Sequence, residues 1–353
     1  MLREFACASV ETAMIANKVY KRLIFIRPNR KSVSLRFNLP RAMKSMLSYD
    51  EGHESTSTEI FERTLMAYCS AYGLEKESLL YEVSVSEEGS PCFRLIPRTS
   101  EPYSALELLA LMRSLRYTEI CESMSFAAIN LDVLNCRHDP FGTEHLHWTR
   151  KYQFYRINPP YDLTKASLLV QEVAALAATN RRLLRLDFSD TISTTSTSND
   201  GCGILEALFP LCKHEVTNVE WLNLHGLHLT HSDVEYLRCI ADDRKSHLHG
   251  LDLSKTHLGP QVTTSLLHAL KAQEGTFEML DLSDNGACVN QCTFDTQISA
   301  FPYMRILILC RLNLSLEIKE PLISASTLET WRLQELALSG TPVNRATVHA
   351  LAS

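Results

Sequence analysis

The sequence lacks any hydrophobic run long enough to cross a bilayer, for which about 18 apolar residues are needed. Its first 20 residues also lack the apolar segment of a secretory signal. The 11 cysteines are an odd number and show no C-x-x-C spacing. This usage favours reduced cysteines that pack as small apolar side chains. We therefore predict a cytoplasmic protein.

Glycine is scarce, with 12 in 353 residues, and no G-x-x-x-x-G-K-S/T, H-E-x-x-H or G-x-S-x-G motif is present. These absences argue against the usual phosphate loop, zinc-protease helix and serine-hydrolase elbow. His145 and His147 would share a face of a strand, but no third metal ligand accompanies them. The trio His225, His228 and His231 is divided by the repeat described below. We predict no catalytic residue, no metal and no cofactor.

Charge is distributed unevenly along the chain. Residues 1–165 contain 21 basic and 20 acidic side chains, whereas residues 166–353 contain 14 and 21. The basic excess lies in the first 41 residues, which carry nine basic and two acidic side chains. Within these 41 residues, the segment 18–36 is predicted to form either a solvated strand hairpin or a surface that makes weak contact with an acidic membrane. The acidic second half argues against nucleic acid as a partner.

A leucine pattern recurs through the second half of the chain. Leu248–Leu258 has leucine at its first, fourth, sixth and eleventh positions, and the same spacing of apolar residues starts again at Val219, Phe277, Met304 and Leu333. These five starts lie 27 or 29 residues apart. Such a period has room for a short strand, a turn and a helix. The segments between strands have helical periodicity, as in 232–242 and in 260–271, which opens with a proline.

This pattern resembles the ribonuclease-inhibitor-like class of leucine-rich repeats. The resemblance implies an α/β solenoid with a curved parallel sheet inside and helices outside. An earlier start at Leu183 fits the frame, and so does one at Phe126, with Ile129, Leu131 and Cys136. A modified middle repeat is expected near residue 154, with a strand over 152–157, a loop over 137–161 and a helix over 166–179. The serine- and threonine-rich segment 193–200 is expected to be an excursion from the array.

A small α+β region is predicted before the array. We expect a helix over 3–20, strands over 21–26 and 31–39, a helix over 59–72, strands over 80–86 and 92–97, and a helix over 104–117. The predicted domains are therefore 1–120 and 121–353. The array stops inside its last helical pattern, so we expect either a longer parent protein or a partner that covers this end.

The segment 61–134 carries a narrower resemblance. It contains F-E-R-T-L-M-A-Y-C-S-A-Y-G-L, then L-L-Y-E-V-S-V, C-F-R-L-I, A-L-E-L-L-A-L-M-R-S-L-R-Y and S-F-A-A-I-N-L-D-V-L. This order is similar to the linker and first repeat of the CARMIL family, cytosolic regulators of actin capping protein, and to fungal repeat proteins of similar layout. The resemblance implies a scaffold linked to the cytoskeleton, with residues 3–20 as the end of a pleckstrin-homology-like domain. No residue of this chain matches the family's capping-protein-binding segment.

The candidate site is the concave face of the predicted sheet. Side chains at repeat positions 4 and 6 should enter the core, which leaves positions 3, 5 and 7 on the concave face, to which position 8 adds further residues. We expect Asp187, Asp252, Asp281 and Asp284 to lie in one stripe along this face. The candidate residues are Asp187, Trp221, Asn223, Asp252, Met279, Asp281, Asp284, Ile306 and Ile308. This face is acidic and becomes apolar at its end, which suits a basic partner protein. The alternative is that these aspartates are only tolerated on a solvated strand.

The predicted function is a non-catalytic scaffold for protein–protein interaction. Two other functions stay open from the sequence. Small-GTPase activators of the RanGAP kind resemble this fold and bind their target on the array, and their activity needs only a few well-placed polar residues. An adaptor for acidic lipid, acting through residues 18–36, is the second alternative.

Overall fold

The computed structural model describes residues 57–86, 89–116, 120–135, 137, 166–192, 201–243 and 247–353. The chain divides into two compact units, residues 1–79 with 106–120, and residues 80–105 with 121–353. Several predictions lie outside the described residues: the helix over 3–20, the strands over 21–26 and 31–39, the basic segment 18–36, the histidine pair 145 and 147, most of the loop 137–161, and the excursion 193–200.

The first unit contains helix α1, Ser57–Tyr72, and nearly all of helix α2, Ala105–Leu115. Both agree with the predicted helices to within two residues. Apolar residues recur at helical spacing on each, and the buried ones include Phe61, Leu65, Leu108 and Leu111. The Arg113 guanidinium donates a 2.8 Å hydrogen bond to the Tyr72 hydroxyl. These contacts give this unit a core of its own.

The second unit contains a nine-stranded sheet in which the strands follow chain order from β1 to β9. The first two strands are antiparallel, and each later pair is parallel. The strands are β1 Tyr81–Val85, β2 Pro91–Leu95, β3 Ser123–Ser125, β4 Arg185–Asp187, β5 Trp221–Asn223, β6 Gly250–Asp252, β7 Met279–Asp281, β8 Ile306–Ile308 and β9 Glu335–Ala337. The predicted hairpin of the N-terminal region, β1–β2, thus belongs to the same sheet as the repeat strands.

Helices alternate with the parallel strands. They are α3 Asp132–Asn135, α4 Leu168–Thr179, α5 Ile204–Lys213, α6 His231–Asp242, α7 Pro260–Leu270, α8 Gln291–Ile298, α9 Ala325–Thr330 and α10 Arg345–Ala352. Local signals set their starts: the Thr230 and Asp233 side chains form a capping box at α6, and Pro260 occupies the first turn of α7. The architecture is α/β, with a mostly parallel sheet in a solenoid-like order.

Burial explains why such short strands hold their register. The central residue of each parallel strand from β3 to β8 points into the core, and Leu251, Leu280 and Leu307 are fully buried. The next inward residue also packs between repeats, as in the stacked rings of Phe126 and Phe188, whose centroids are 5.7 Å apart. A shift of one residue would turn these side chains outward, so the hydrophobic pattern specifies the pairing.

The predicted frame of the earliest repeat is wrong by five residues. Met124 pairs with Leu186, so Met124 occupies position 4, Phe126 position 6 and Cys121 position 1. The sequence frame had placed Phe126 at position 1. The pattern misled because Met124 lies between two serines, whereas Ile129 and Leu131 reproduce the leucine spacing farther along. Ala128 and Asp190 both adopt positive φ three residues after their strands, which supports the corrected alignment.

The strand expected at 152–157 for the middle repeat lies outside the described residues. Strands β3 and β4 are hydrogen-bonded neighbours in the sheet, although 62 residues separate Ser125 from Asp187. The predicted helix of that repeat is present as α4 and precedes β4.

Polar side chains at repeat position 9 satisfy the backbone of the turns. The Asn285 amide donates to the carbonyls of Leu253 and Leu282, at 2.7 and 3.0 Å. Its oxygen accepts from the backbone N–H groups of Thr256 and Leu258, at 3.0 and 3.1 Å. Because these groups are buried, the amide replaces hydrogen bonds that water would otherwise make.

Candidate functional site

The sheet register places most of the predicted site residues in two adjacent rows. Position 5 forms one row, and position 3 forms the other. The position-5 row pairs Asp187, Asn223, Asp252, Asp281 and Ile308 in order across β4 to β8, and the position-3 row pairs Arg185, Trp221, Gly250, Met279 and Ile306. We call these two rows the open face, and its first four position-5 residues the acidic row. All members of the acidic row are half-buried.

The side chains of the acidic row have a local structural role that the sequence analysis missed. Each of its side chains accepts a hydrogen bond from the backbone N–H two residues later, at 2.8 to 3.0 Å. The donors are Ser189, His225, Ser254 and Ser283. These are Asx turns, in which a short polar side chain replaces a backbone acceptor as the chain leaves the strand. The repeated D-x-S spacing in the sequence was the signal for them.

The environment of Asp281 in the acidic row perturbs its ionisation. Burial raises the pKa of its carboxyl, the hydrogen bonds from Ser283 lower it, and the like charge of Asp252 on the adjacent strand raises it. The expected repulsion between Asp252 and Asp281 is therefore a contributor to the raised pKa of Asp281, but burial is the larger cause.

Asp284, expected in one stripe with Asp187, Asp252 and Asp281, lies apart from the acidic row. It occupies the turn after β7 with positive φ, and its carboxylate forms a bidentate ion pair with the Arg311 guanidinium. The hydrogen bonds and charge of Arg311 lower the pKa of the Asp284 carboxyl. A similar pair joins the Lys255 Nζ to the Asp190 Oδ1 at 3.5 Å. These turn residues balance one another's charges, whereas the carboxylates of the acidic row accept hydrogen bonds from neutral groups.

His225 is placed where the acidic row and the turns meet. Its Nδ1 lies 2.6 Å from the Ser254 Oγ, and its Nε2 lies 3.7 Å from the Asp190 Oδ2. A histidine between a serine and an aspartate is also the arrangement of serine hydrolases. Here the serine is 4% exposed, and its hydroxyl donates to the Asp252 carboxylate at 2.5 Å. Its oxygen is therefore not presented to a substrate as a nucleophile.

Trp221 lies flat on the open face because the residue paired with it on the neighbouring strand is a glycine. A β-carbon added at Gly250 would come within 2.0 Å of the indole Cε3. The Arg185 guanidinium lies 4.7 Å from the centre of the indole ring. Since Gly250 itself is buried, the indole covers the strand and supplies an aromatic surface beside the acidic row.

Among the histidines, cysteines and acidic residues of the described ranges, no group of three or more could hold a metal ion. The rings of His228 and His257 do approach, with centroids 5.5 Å apart. His225 faces the open face instead, so the three histidines spaced along 225–231 do not converge.

Comparisons with known proteins identify no family for this chain. No protein-family model matches it, and no curated protein sequence matches it at a significant level. Among the described residues, no helix has both the length and the apolar character needed to cross a membrane. The class that fold and surface define is therefore an α/β protein whose parallel sheet alternates with helices and carries a polar open face.

Proposed function

We propose that the chain is a ribonuclease-inhibitor-like leucine-rich-repeat scaffold, with no catalytic role, that binds a partner protein on its open face. The regular step from strand to strand supports the repeat class, as do the inward leucines and the position-9 side chains that bind the turns. Two observations favour the open face as the binding surface. Its side chains are only half-buried, and they change from acidic to apolar across five strands.

The partner that fits best presents a segment rich in basic and apolar side chains. Asp252 and Asp281 are on adjacent strands, which lie about 4.8 Å apart, so one or two cationic groups can engage both. Ile306 and Ile308 follow on the next strand and offer apolar contact beside that charge. This juxtaposition is the observation that carries the proposal, because charge gives orientation and apolar burial gives affinity.

The test compares binding of a short synthetic peptide that alternates arginine and leucine to the wild type and to the double variant Asp252→Asn/Asp281→Asn. Asparagine keeps the Asx turns, as Asn223 does at the equivalent place in β5. We expect the double variant to bind about tenfold more weakly at neutral pH, equivalent to about 1.4 kcal/mol. The wild type should also lose affinity as salt is raised.

The matched control is Glu274→Gln/Glu329→Gln, which removes two exposed charges away from the open face. A glutamate–leucine peptide of the same length controls for apolar adhesion. Equal loss of affinity in both double variants would reduce the effect to net charge and overturn the proposed site. Equal affinity of the wild type and Asp252→Asn/Asp281→Asn would do the same.

A further inference from the structure

We propose that His225 is a proton-operated regulator of the open face: when it gains a proton, it lowers the affinity of that face for a basic partner. This inference rests on the proposed function. It concerns regulation of the same surface, and it follows from how the hydrogen-bonding protons around His225 must be shared.

The hydrogen bonds around His225 fix its neutral tautomer. The Ser254 hydroxyl has a single proton, and it donates that proton to the Asp252 Oδ1 at 2.5 Å. The contact of 2.6 Å between the Ser254 Oγ and the His225 Nδ1 therefore needs its proton from the ring. Neutral His225 is thus the tautomer with hydrogen on Nδ1, and Nε2 is left as a lone pair.

A further proton would bind at the His225 Nε2. The bare Nε2 lies 3.7 Å from the Asp190 Oδ2, so a proton bound there gives an imidazolium ion beside a carboxylate. The Nδ1 contact to Ser254 is unchanged, since that nitrogen already donates. Proton binding therefore adds a positive charge without requiring any hydrogen bond of the ring to be broken.

Several charged groups surround the ring of His225. Asp190 faces His225 from the turn after β4, and its other carboxylate oxygen is 3.5 Å from the Lys255 Nζ on the turn after β6. Asp252 is reached through Ser254. The charge of His225 also acts to lower the pKa of both Asp281 and Asp284, and the latter is held by Arg311.

Protonated His225 would therefore place a cation among the carboxylates that attract the partner. Histidine is the side chain suited to change charge between pH 5 and 8. On a solvated face, where the dielectric approaches that of water and salt screens the interaction, a single added charge several ångströms from a cationic ligand changes binding by about three- to tenfold. The open face should bind a basic segment more tightly at pH 7.5 than at pH 5.5.

The experiment measures binding of the arginine–leucine peptide at pH 7.5 and pH 5.5, at constant ionic strength. We expect the wild type to lose about three- to tenfold in affinity on acidification, and His225→Gln to lose less than twofold. Because its pKa is raised, Asp281 would also lose its charge in acid and weaken binding. The matched variant Asp281→Asn measures how much of the pH dependence comes from that carboxyl. It should retain most of the pH dependence of the wild type, because His225 is unchanged in it.

Two results would overturn the inference while the proposed function stands. One is a pH dependence of peptide affinity in His225→Gln that is as large as in the wild type, whatever Asp281→Asn shows. The other is independent of any peptide: imidazole ¹⁵N spectra at pH 7.5 must show the hydrogen of His225 on Nδ1, and a hydrogen on Nε2 would refute the proton count. Failure of the proposed function is distinct, because it appears already at pH 7.5 as binding that Asp252→Asn/Asp281→Asn does not weaken.

Discussion

Asn285 offers a sharp test of how the repeat turns are held together. Its side chain makes four hydrogen bonds of 2.7 to 3.1 Å to the backbone of Leu253, Leu282, Thr256 and Leu258. Three of these join β6 and its turn to the next repeat. In Asn285→Ala, these backbone groups stay buried and lose their partner. At about 0.5 to 1.5 kcal/mol for each of the four bonds, the free energy of unfolding should fall by about 2 to 6 kcal/mol.

Urea denaturation followed by far-UV circular dichroism measures this change directly. Asn313→Ala is the matched control, because Asn313 is exposed in the next repeat. We expect the control to change stability by less than about 0.5 kcal/mol. A loss below about 1 kcal/mol in Asn285→Ala would refute the argument, since it would mean that water enters the turn and satisfies the same backbone groups.

Two further changes follow from the open face and its turns. Gly250→Ala puts a β-carbon within 2.0 Å of the Trp221 ring, so we expect a red shift of tryptophan fluorescence and a loss of about 1 to 3 kcal/mol, while Gly275→Ala, which meets nothing within 4 Å, should change neither. Arg311→Gln should raise the pKa of the Asp284 carboxyl toward the ordinary aspartate value, as measured by carboxyl NMR. Because the folded pKa is depressed, the stability gained from this pair exists above the unfolded pKa and is lost as pH falls through the folded one. Thermal unfolding of wild type and Arg311→Gln should therefore differ at neutral pH and converge in acid.

The sequence pattern predicted the regular part of the sheet well. From β5 to β9 the apolar residues at positions 1, 4 and 6 recur at nearly constant spacing, and the pairing of Leu222, Leu251, Leu280 and Leu307 follows the predicted register. These positions can be predicted from the sequence because a buried strand position tolerates few alternatives to leucine. The same reasoning placed Asp187, Asn223, Asp252 and Asp281 in one row.

The pattern failed where other residues replace leucine. At β3 the inward residue is Met124, flanked by two serines, so the leucine spacing matched a false frame five residues later. The Asp284–Arg311 ion pair was missed for a different reason. It depends on how two turn residues with positive φ direct their side chains, and hydrophobic periodicity contains no information about that.

The role of His225 was also beyond the sequence pattern. Its spacing to His228 and His231 suggested, at most, a metal site, whereas its neighbours Ser254 and Asp190 come from the strands and turns on either side. Contacts between adjacent repeats depend on side-chain rotamers, which the repeat period alone does not specify. Only the paired strands bring these three groups together.

The claim that the open face binds a basic, partly apolar segment is tested most directly by methyl NMR. The protein is labelled at methionine and isoleucine methyl groups, with leucine and valine methyls as internal references, and the arginine–leucine peptide is added at pH 7.5. We expect the methyl signals of Met279, Ile306 and Ile308 to shift in a saturable manner, while the exposed methyls of Leu316 and Val348 stay in place. Saturable shifts at Leu316 or Val348, with Met279 and both isoleucines unmoved, would contradict the account.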